Sequence, residues 1–319
     1  MAAVKSAPAL TVEQFYHAHH RDLDLRLVAG QRGLGRLIRE PAVNRPGLML
    51  AGFRKYFAEH RIQVFGNAEM HYLRSLPPAA RATRYREFFA TRVPCAVFCR
   101  SGQPDEEFQR QAEARGVPVF RCPMVTMRFI NRATLALDEH FAPRQRIHGS
   151  MVDIRGIGVL ILGEPGVGKS ECAIGLVERG YSLVADDTTL LRVHAGRELI
   201  GTSPELGRNF MEVRGIGVVD VPAMFGVKGI RTEKRVDLAV TLKVWDAAAE
   251  VERVGEAMET IKILDVAVPH MTIPIRPGRD VARLVEVAAL HMKLRVLGYN
   301  PAKALNEALI AQMQQQAER

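Results

Sequence analysis

Along the first 140 residues, short unbroken apolar runs alternate with stretches of helical spacing. Cys95-Ala-Val-Phe-Cys99 is apolar throughout and of strand length, the polar stretch from Pro104 to Arg115 predicts a helix, and Val117-Pro-Val-Phe120 predicts a second short strand. From Thr11 to about Ala142 this is the pattern of a small α/β unit without repeats or low-complexity sequence. Met124 to Phe141 predicts a helix closing at Ala142-Pro143, because proline disfavours helical backbone in the residue before it. The basic Arg144-Gln-Arg146 follows, so the domain boundary is placed there, dividing the chain into residues 1–142 and 143–319.

Beyond the boundary, Ile147 to Leu162 carries β-branched residues and leucines interrupted by glycines, which predicts two short strands, the second ending in the buried run Val159-Leu-Ile-Leu162. Ser170 to Glu178 predicts a helix, and the apolar Ser182 to Ala185 a strand with Asp186-Asp187 at its end. Near the C-terminus, Val281, Leu284, Val285, Ala288, Met292 and Val296 recur at helical spacing between Asp280 and Leu297, with Gly298 as a C-cap and Pro301 opening another helix.

Composition narrows this picture little. The 319 residues are 47% hydrophobic and 25% charged, as in a soluble globular chain long enough for two domains. No apolar run reaches the roughly 18 residues of a membrane span, and no cationic start with an apolar core opens the chain, so a cytoplasmic address and no membrane partner are expected. Cys95, Cys99, Cys122 and Cys172 lack the spacing of a disulfide framework or a zinc site and read as reduced core thiols. The His19-His20 pair lies on a polar helical stretch and reads as a surface pair. A net charge of +9 attracts anions, but the basic residues are scattered and aromatics are only 6%, which argues against a nucleic-acid partner.

One segment changes the picture. Gly163-Glu164-Pro165-Gly166-Val167-Gly168-Lys169-Ser170 matches G-x-x-x-x-G-K-[ST] and lies between an apolar strand and a helical pattern, the context that this phosphate-binding loop requires. Glycines let successive backbone N–H groups point at phosphate oxygens, and the following helix adds the positive end of its dipole. Lys169 is expected to reach the β- and γ-phosphates and Ser170 to ligate Mg²⁺. The loop alone leaves the acceptor open. Neither a guanine-reading Asn-Lys-x-Asp nor a Leu-Ser-Gly-Gly-Gln motif is present, which favours the phosphotransferases over switch GTPases and transport ATPases.

Further motifs surround the loop: His148-Gly149 before it, Glu171 after it, Leu183-Val-Ala-Asp186-Asp187, then Met211-Glu212-Val213-Arg214-Gly215-Ile216-Gly217-Val218-Val219-Asp220, and Pro274-Ile275-Arg276-Pro277-Gly278-Arg279. In order and spacing, across about residues 146 to 297, this set resembles the HPr kinase/phosphorylase family. Two departures stand out: Glu164-Pro165 replaces the Asp-Ser common in the family, and the N-terminal third carries no sharp signature.

The resemblance implies an α/β protein, with a small N-terminal domain of regulatory or assembly role followed by a P-loop kinase domain resembling the phosphoenolpyruvate carboxykinase-type nucleotide-binding core. It implies a cytoplasmic homohexamer that uses ATP, with pyrophosphate as an alternative donor, and Mg²⁺ to phosphorylate a serine of HPr or an HPr-like phosphocarrier. It also implies the reverse phosphorolysis by inorganic phosphate, giving pyrophosphate. By resemblance Asp187 is the general base and acid, His148 an active-site histidine, Arg253 an arginine that neutralises charge during transfer, and Glu212 a Mg²⁺ ligand beside Ser170. Residues 211–220 then serve both directions and residues 274–279 chiefly dephosphorylation. Read without the family, the adjacent aspartates suit a turn or cap, Glu212 a surface strand, and Arg253 a helix surface. The basic run Lys228 to Arg235 suits a solvated loop, or a mobile cover over the site. A small-molecule P-loop kinase and a non-catalytic nucleotide-binding regulator are the alternative functions.

Overall fold

The computed structural model describes residues 9–245 and 258–317. The chain divides into two compact units, one ending at Ala142 and the other beginning at Pro143, and both mix helices with sheets.

The first unit is built on a five-stranded sheet. Its strands are β1 (Arg26–Ala29), β2 (Val43–Asn44), β3 (Ile62–Phe65), β4 (Ala96–Phe98) and β5 (Val119–Arg121), in the order β1-β5-β4-β3-β2. All neighbours are parallel except β1 with β5. Helices α1 (Val12–His19), α2 (Asn67–Ser75), α3 (Pro78–Phe89), α4 (Glu106–Arg115) and α5 (Thr126–Phe141) accompany them. The strands are apolar on both faces, as a covered parallel sheet requires. Ile62, Val64 and Val97 pack with Phe15 of α1 and Phe129 of α5, whereas Phe65 and Phe98 pack with Phe88 of α3 and Phe108 of α4. Helix α4 starts one residue after Asp105, whose carboxylate accepts the Phe108 N–H at 2.9 Å, so the cap moves the start past the Pro104 predicted from polarity alone.

The second unit has three layers. A six-stranded sheet contains β7 (Ser150–Ile154), β8 (Ile157–Gly163), β9 (Ser182–Ala185), β15 (Leu238–Val244), β16 (Glu259–Ile263) and β17 (Val266–Ile275), in the order β9-β7-β8-β15-β17-β16. On one face Val152, Val159, Ile161, Val240 and Leu242 pack with Cys172, Ala173 and Leu176 of α6 (Lys169–Glu178) and with Val285 and Ala289 of α8 (Val281–Val296). On the other face Met151, Leu160 and Ala239 meet Leu191 and Leu199 of a four-stranded antiparallel sheet. That sheet runs β14-β11-β10-β6, from β6 (Arg144–His148), β10 (Thr188–His194), β11 (Glu198–Thr202) and β14 (Glu233–Arg235). Strict alternation along β7 and β8 thus divides apolar side chains between a helical and a sheet neighbour. The hairpin of β12 (Phe210–Val213) and β13 (Gly217–Asp220) packs Met211, Val213 and Val219 into the helical-face core, and the short α7 (Val221–Phe225) follows it. Helix α9 (Pro301–Ala317) follows α8, and Gly298 between them has φ +86, the left-handed conformation suited to the residue beyond a helix end.

The chain passes directly between the two sheets three times, from β14 to β15 at Val236-Asp237 and, earlier, at two neighbouring points. It leaves β6 and enters β7 at Gly149, and it leaves β9 and enters β10 at Asp186-Asp187. The sequence pattern places Ile147 in the first of two strands leading to the loop. Ile147 instead belongs to β6, paired with Thr189 in the other sheet, because the half-exposed alternation of Arg144 to His148 suits an edge strand. The basic run from Lys228 to Arg235 is largely exposed, as expected of a solvated segment, but part of it is a strand and two of its arginines are ion-paired. Arg231 pairs with the buried Asp153, residues 233–235 form β14, and the Arg235 Nε donates to Asp237 Oδ1 at 2.6 Å. Carboxylates supplied by the six-stranded sheet and its approach hold these cations in place.

Gly158 tests how closely the layers meet. A Cβ added there would lie 1.9 Å from the Arg235 carbonyl oxygen, a backbone atom that cannot turn away, and the Gly158 N–H already donates to Asp237 Oδ2 at 2.8 Å. Gly158→Ala is expected to cost about 3 kcal/mol through overpacking. Urea unfolding checks this, with the midpoint falling at constant slope.

Candidate active site

Strand β8 ends at Gly163 with φ +145, where a Cβ would come within 2.6 Å of the Leu242 carbonyl oxygen of β15. Only glycine lets the chain turn off the sheet there. Gly166 and Gly168 follow with φ +84 and +99, and α6 begins at Lys169, so the loop curls over the N-terminus of a helix. The Lys169 ammonium spans this loop, donating to the carbonyl oxygens of Gly163 at 3.0 Å and Glu164 at 2.9 Å. Glu164 and Pro165 lie exposed on the rim.

Behind the loop, Asp186 is held from two sides. Ser150 Oγ at the start of β7 donates to its Oδ1 at 2.6 Å, and Ser170 Oγ of α6 donates to the same oxygen at 3.0 Å. Burial raises the Asp186 pKa above the ordinary aspartate range, the two hydroxyls oppose that rise, and the neighbouring Asp187 charge adds to it. Asp187 is exposed and sits at φ +56, and its carboxylate has no hydrogen bond or ion pair among the described residues. Its carbonyl accepts the Gly149 N–H at 2.9 Å, and Thr189 Oγ1 donates to the Gly149 carbonyl at 2.8 Å. Gly149 is itself obligatory, since a Cβ would meet the Ile161 carbonyl oxygen at 2.7 Å. His148 pairs in register with Thr188 and is exposed, so the fold brings it beside Asp187.

The hairpin of β12 and β13 reaches the loop through Arg214, whose Nη1 lies 3.4 Å from where a Gly166 Cβ would stand. Glu212 lies on the exposed face of β12 and makes no hydrogen bond or ion pair among the described residues. Ile216 and Val218 of the same hairpin are 77% and 72% exposed, an apolar surface unusual beside a polar site. Arg276-Pro277-Gly278-Arg279 forms a tight turn, closed by Arg279 N–H to Arg276 C=O at 3.2 Å with Gly278 at φ +76. Proline and glycine at its two central positions suit this geometry. The Arg276 guanidinium lies over the Trp245 ring, 3.4 Å from its centroid. Arg253 lies outside the described residues.

The oxygen donors suit a small hard cation: a hydroxyl and a carboxylate oxygen 3.0 Å apart at the mouth of a phosphate loop match the few-ligand sites that leave room for phosphate and water. Among the described residues no group of three or more His, Cys, Asp or Glu could form a closed metal cage. The geometry couples Ser170 to Asp186, whereas sequence reasoning couples Ser170 to Glu212.

Two family models cover almost the whole chain: one described as the HPr Serine kinase N terminus matches residues 10–137, and one described as the HPr Serine kinase C-terminal domain matches residues 139–309. The chain belongs to the HPr kinase/phosphorylase family. It is 42% identical to the HPr kinase/phosphorylase of Caldicellulosiruptor bescii over 92% of this chain and 94% of that protein. It is 39% identical to that of Leptospira biflexa over 97% of this chain and 96% of that protein. Among solved structures, the Hpr(Ser) kinase/phosphatase from Coxiella burnetii aligns with a TM-score of 0.46 at 32% identity, over 51% of this chain and 99% of that one. The expected family, its α/β class and its enzymatic nature are borne out, and neither the small-molecule kinase nor the non-catalytic regulator is favoured. Such a kinase/phosphorylase uses a nucleotide. No helix among the described residues is long and apolar enough to cross a membrane.

Two residues of this neighbourhood, Ser150 and Trp245, escape sequence reasoning. Ser150 follows the His148-Gly149 motif directly, and its place opposite Ile161 on the next strand makes it face Asp186. Trp245 is visible only as the single tryptophan at the end of an apolar strand, whereas Arg214 is named with the 211–220 signature and the structure adds its approach to Gly166.

The raised Asp186 pKa makes a signed prediction about stability. A carboxyl whose folded pKa exceeds its unfolded value contributes stability that is full below the unfolded pKa, about 3.9, and is lost as pH rises through the folded value. Asp186→Asn keeps an oxygen acceptor for both serines but carries no charge. The variant is therefore expected to melt higher than wild type at pH 7 and to converge with it in acid. Calorimetric Tm across that range checks this, and added Mg²⁺ should narrow the gap by favouring the wild-type carboxylate.

Proposed function

We propose that this chain transfers the γ-phosphoryl group of ATP to a seryl hydroxyl of HPr or an HPr-like phosphocarrier, with Mg²⁺, and catalyses phosphorolysis of the phosphoseryl product. In the reverse direction an oxygen of inorganic phosphate attacks phosphorus, the P–O bond to serine breaks, the seryl oxygen recovers a proton, and pyrophosphate leaves. The observation that supports this reading most directly is the unequal pair behind the loop: Asp186 tied to two hydroxyls, Asp187 beside it with its carboxylate disengaged.

That inequality assigns roles. Asp187 accepts the seryl proton in the forward direction and returns it in reverse, since a general base needs a free acceptor within reach of the reacting hydroxyl. Asp186 orients the Ser170 hydroxyl and with it offers two oxygen ligands; bound Mg²⁺ would neutralise the charge of the transferring phosphoryl group. Glu212 is proposed as a further ligand from the hairpin. Lys169 exchanges its two loop carbonyls for phosphate oxygens, and the loop amides and the α6 N-terminus hold the rest of the polyphosphate. His148, adjacent in register, tunes the proton balance at Asp187. Arg253 is proposed as a charge-neutralising donor, and Arg276 and Arg279 as donors to the phosphate of the reverse reaction. The proposal includes a cytoplasmic homohexamer and a regulatory or assembly role for residues 1–142.

The deciding assay is transfer of radiolabel from ATP to HPr. Lys169→Ala is expected to remain folded and to abolish labelling, because positioning and charge neutralisation supply most of the catalysis in this class. Asp187→Asn is expected to lose about 10²–10⁴-fold in single-turnover rate in both directions with little change in nucleotide affinity. A rate near wild type at saturating Mg²⁺ would return Asp187 to the turn role. Arg279→Ala should cut pyrophosphate formation more than it cuts phosphorylation.

A further inference from the structure

In the first unit, β4 runs parallel to β3 and β5 and ends at Phe98, on the edge where open α/β sheets take their ligands. The chain then turns through Arg100 and Ser101 at φ +56 and +55, two successive residues with side chains in the left-handed region. The Arg100 N–H donates to the Met124 carbonyl at 2.9 Å and the Ser101 N–H to the Cys122 carbonyl at 3.1 Å, so the turn is anchored to the segment that follows β5. It delivers Gln103-Pro104-Asp105 to the start of α4, and this loop, α2, α3 and α4 enclose a cavity of about 200 Å³ over the end of β4.

The buried and exposed ends of this cavity differ in chemistry. At the buried end, Phe98 and Phe108 meet edge to face with centroids 5.0 Å apart, and Leu73 of α2 packs in the same cluster. Asp105 is the single carboxylate in the lining, and both its oxygens are engaged. Oδ1 accepts the Phe108 N–H at 2.9 Å, while Oδ2 accepts the Tyr85 hydroxyl at 2.9 Å and faces Arg81 Nε at 3.3 Å. Burial pushes the Tyr85 phenol above its ordinary pKa, so it stays a donor in that bond. Arg74 and Gln103 lie at the exposed end, and neither side chain has a hydrogen bond or ion pair among the described residues. Two arginines against one carboxylate leave one positive charge, carried by the arginine without a partner. An apolar space with a free guanidinium at its mouth suits an organic monoanion. An apolar cavity of about 150 Å³ is enough for a benzene ring, so this one has room for a body of that size with its charged group toward Arg74.

We propose that this cavity is a binding site for a small carboxylate with an apolar, ring-sized body, Arg74 meeting the carboxylate and Phe98, Phe108 and Leu73 the body. The site goes beyond phosphoryl transfer, since the reaction proposed above uses no residue of the first unit. A bare anion leaves the apolar end unfilled, and an uncharged ring leaves the guanidinium without its partner. The class of ligand therefore needs both parts.

The test uses full-length protein with ¹³C-labelled methionine methyl groups, because Met70 lines the cavity and Met70→Leu identifies its signal among the twelve methionines. Benzoate is the probe. It is expected to shift the Met70 signal saturably with a Kd of about 1 mM, an ordinary affinity for a molecule of this size, while acetate and inorganic phosphate leave that signal in place. Replacing benzoate by benzyl alcohol, which keeps the ring without the charge, is expected to weaken binding about tenfold, the scale of a charge-assisted hydrogen bond. Arg74→Met should weaken benzoate binding to the same extent, and Arg74 is exposed, so its replacement spares the core. A Met70 signal unmoved by benzoate overturns the proposal. So does an equal response to benzyl alcohol, acetate or phosphate, comparisons that need no variant, or a benzoate affinity unchanged in folded Arg74→Met.

Discussion

The site depends on one backbone hydrogen bond, from the Gly149 N–H to the Asp187 carbonyl. It ties together two of the points where the chain crosses from one sheet to the other. At the first, β6 gives way to β7 and places Ser150 inside the six-stranded sheet; at the second, β9 gives way to β10 and leaves Asp186 and Asp187 between the sheets. A residue other than glycine at 149 would meet the Ile161 carbonyl and force the crossings apart. Asp187 tolerates φ +56 there because aspartate is among the few non-glycine residues that visit the left-handed region at modest cost. The chemistry of the pair follows: one carboxylate turned inward onto two hydroxyls, the next left exposed.

Around that fixed point, the cationic groups are held by contacts that leave donors available. Lys169 donates to carbonyls of its own loop, Arg214 stands over Gly166, and Arg276 rests on Trp245. None of these is locked into a carboxylate pair among the described residues, unlike Arg231, Arg235 and Arg179, which are bound to Asp153, Asp237 and Glu286. An arginine committed to a carboxylate must break that pair before it can meet a phosphate. One resting on an aromatic face or near a loop need not, so less reorganisation opposes anion binding.

Much of this was legible in the sequence for a physical reason: a phosphate loop demands glycines, lysine and a hydroxyl at fixed spacing between a strand and a helix, and the local chain alone builds it. The strand before Asp186 was equally visible, since Ser182 to Ala185 is apolar and is followed at once by two charges. Pairings between distant segments were not visible. No local pattern says that Ile147 lies opposite Thr189 or that Ser150 reaches Asp186, because both follow from sheet exchange at Gly149. The ion pairs of the exposed basic segment 228–235 were hidden for a similar reason: its partners Asp153, Glu198 and Asp237 lie before it or after it in the chain.

The unequal environments of Asp186 and Asp187 also explain why two adjacent carboxylates serve better than one. A single aspartate that both oriented Ser170 and took the seryl proton would weaken its hold on the hydroxyl on each protonation, disturbing the phosphate loop when the transferring group is most charged. Dividing the tasks removes that conflict. Burial and two hydrogen bonds hold Asp186 in one geometry, while Asp187, exposed beside it with no partner for its carboxylate among the described residues, is the proposed site of proton gain and loss. The cost is mutual repulsion when both are ionised, which adds to the rise in the Asp186 pKa and is greatest with no cation bound. In the proposed mechanism bound Mg²⁺ would relieve that repulsion, so cation binding and full ionisation of the pair would favour each other, and the proposed base would be most available with nucleotide and metal in place.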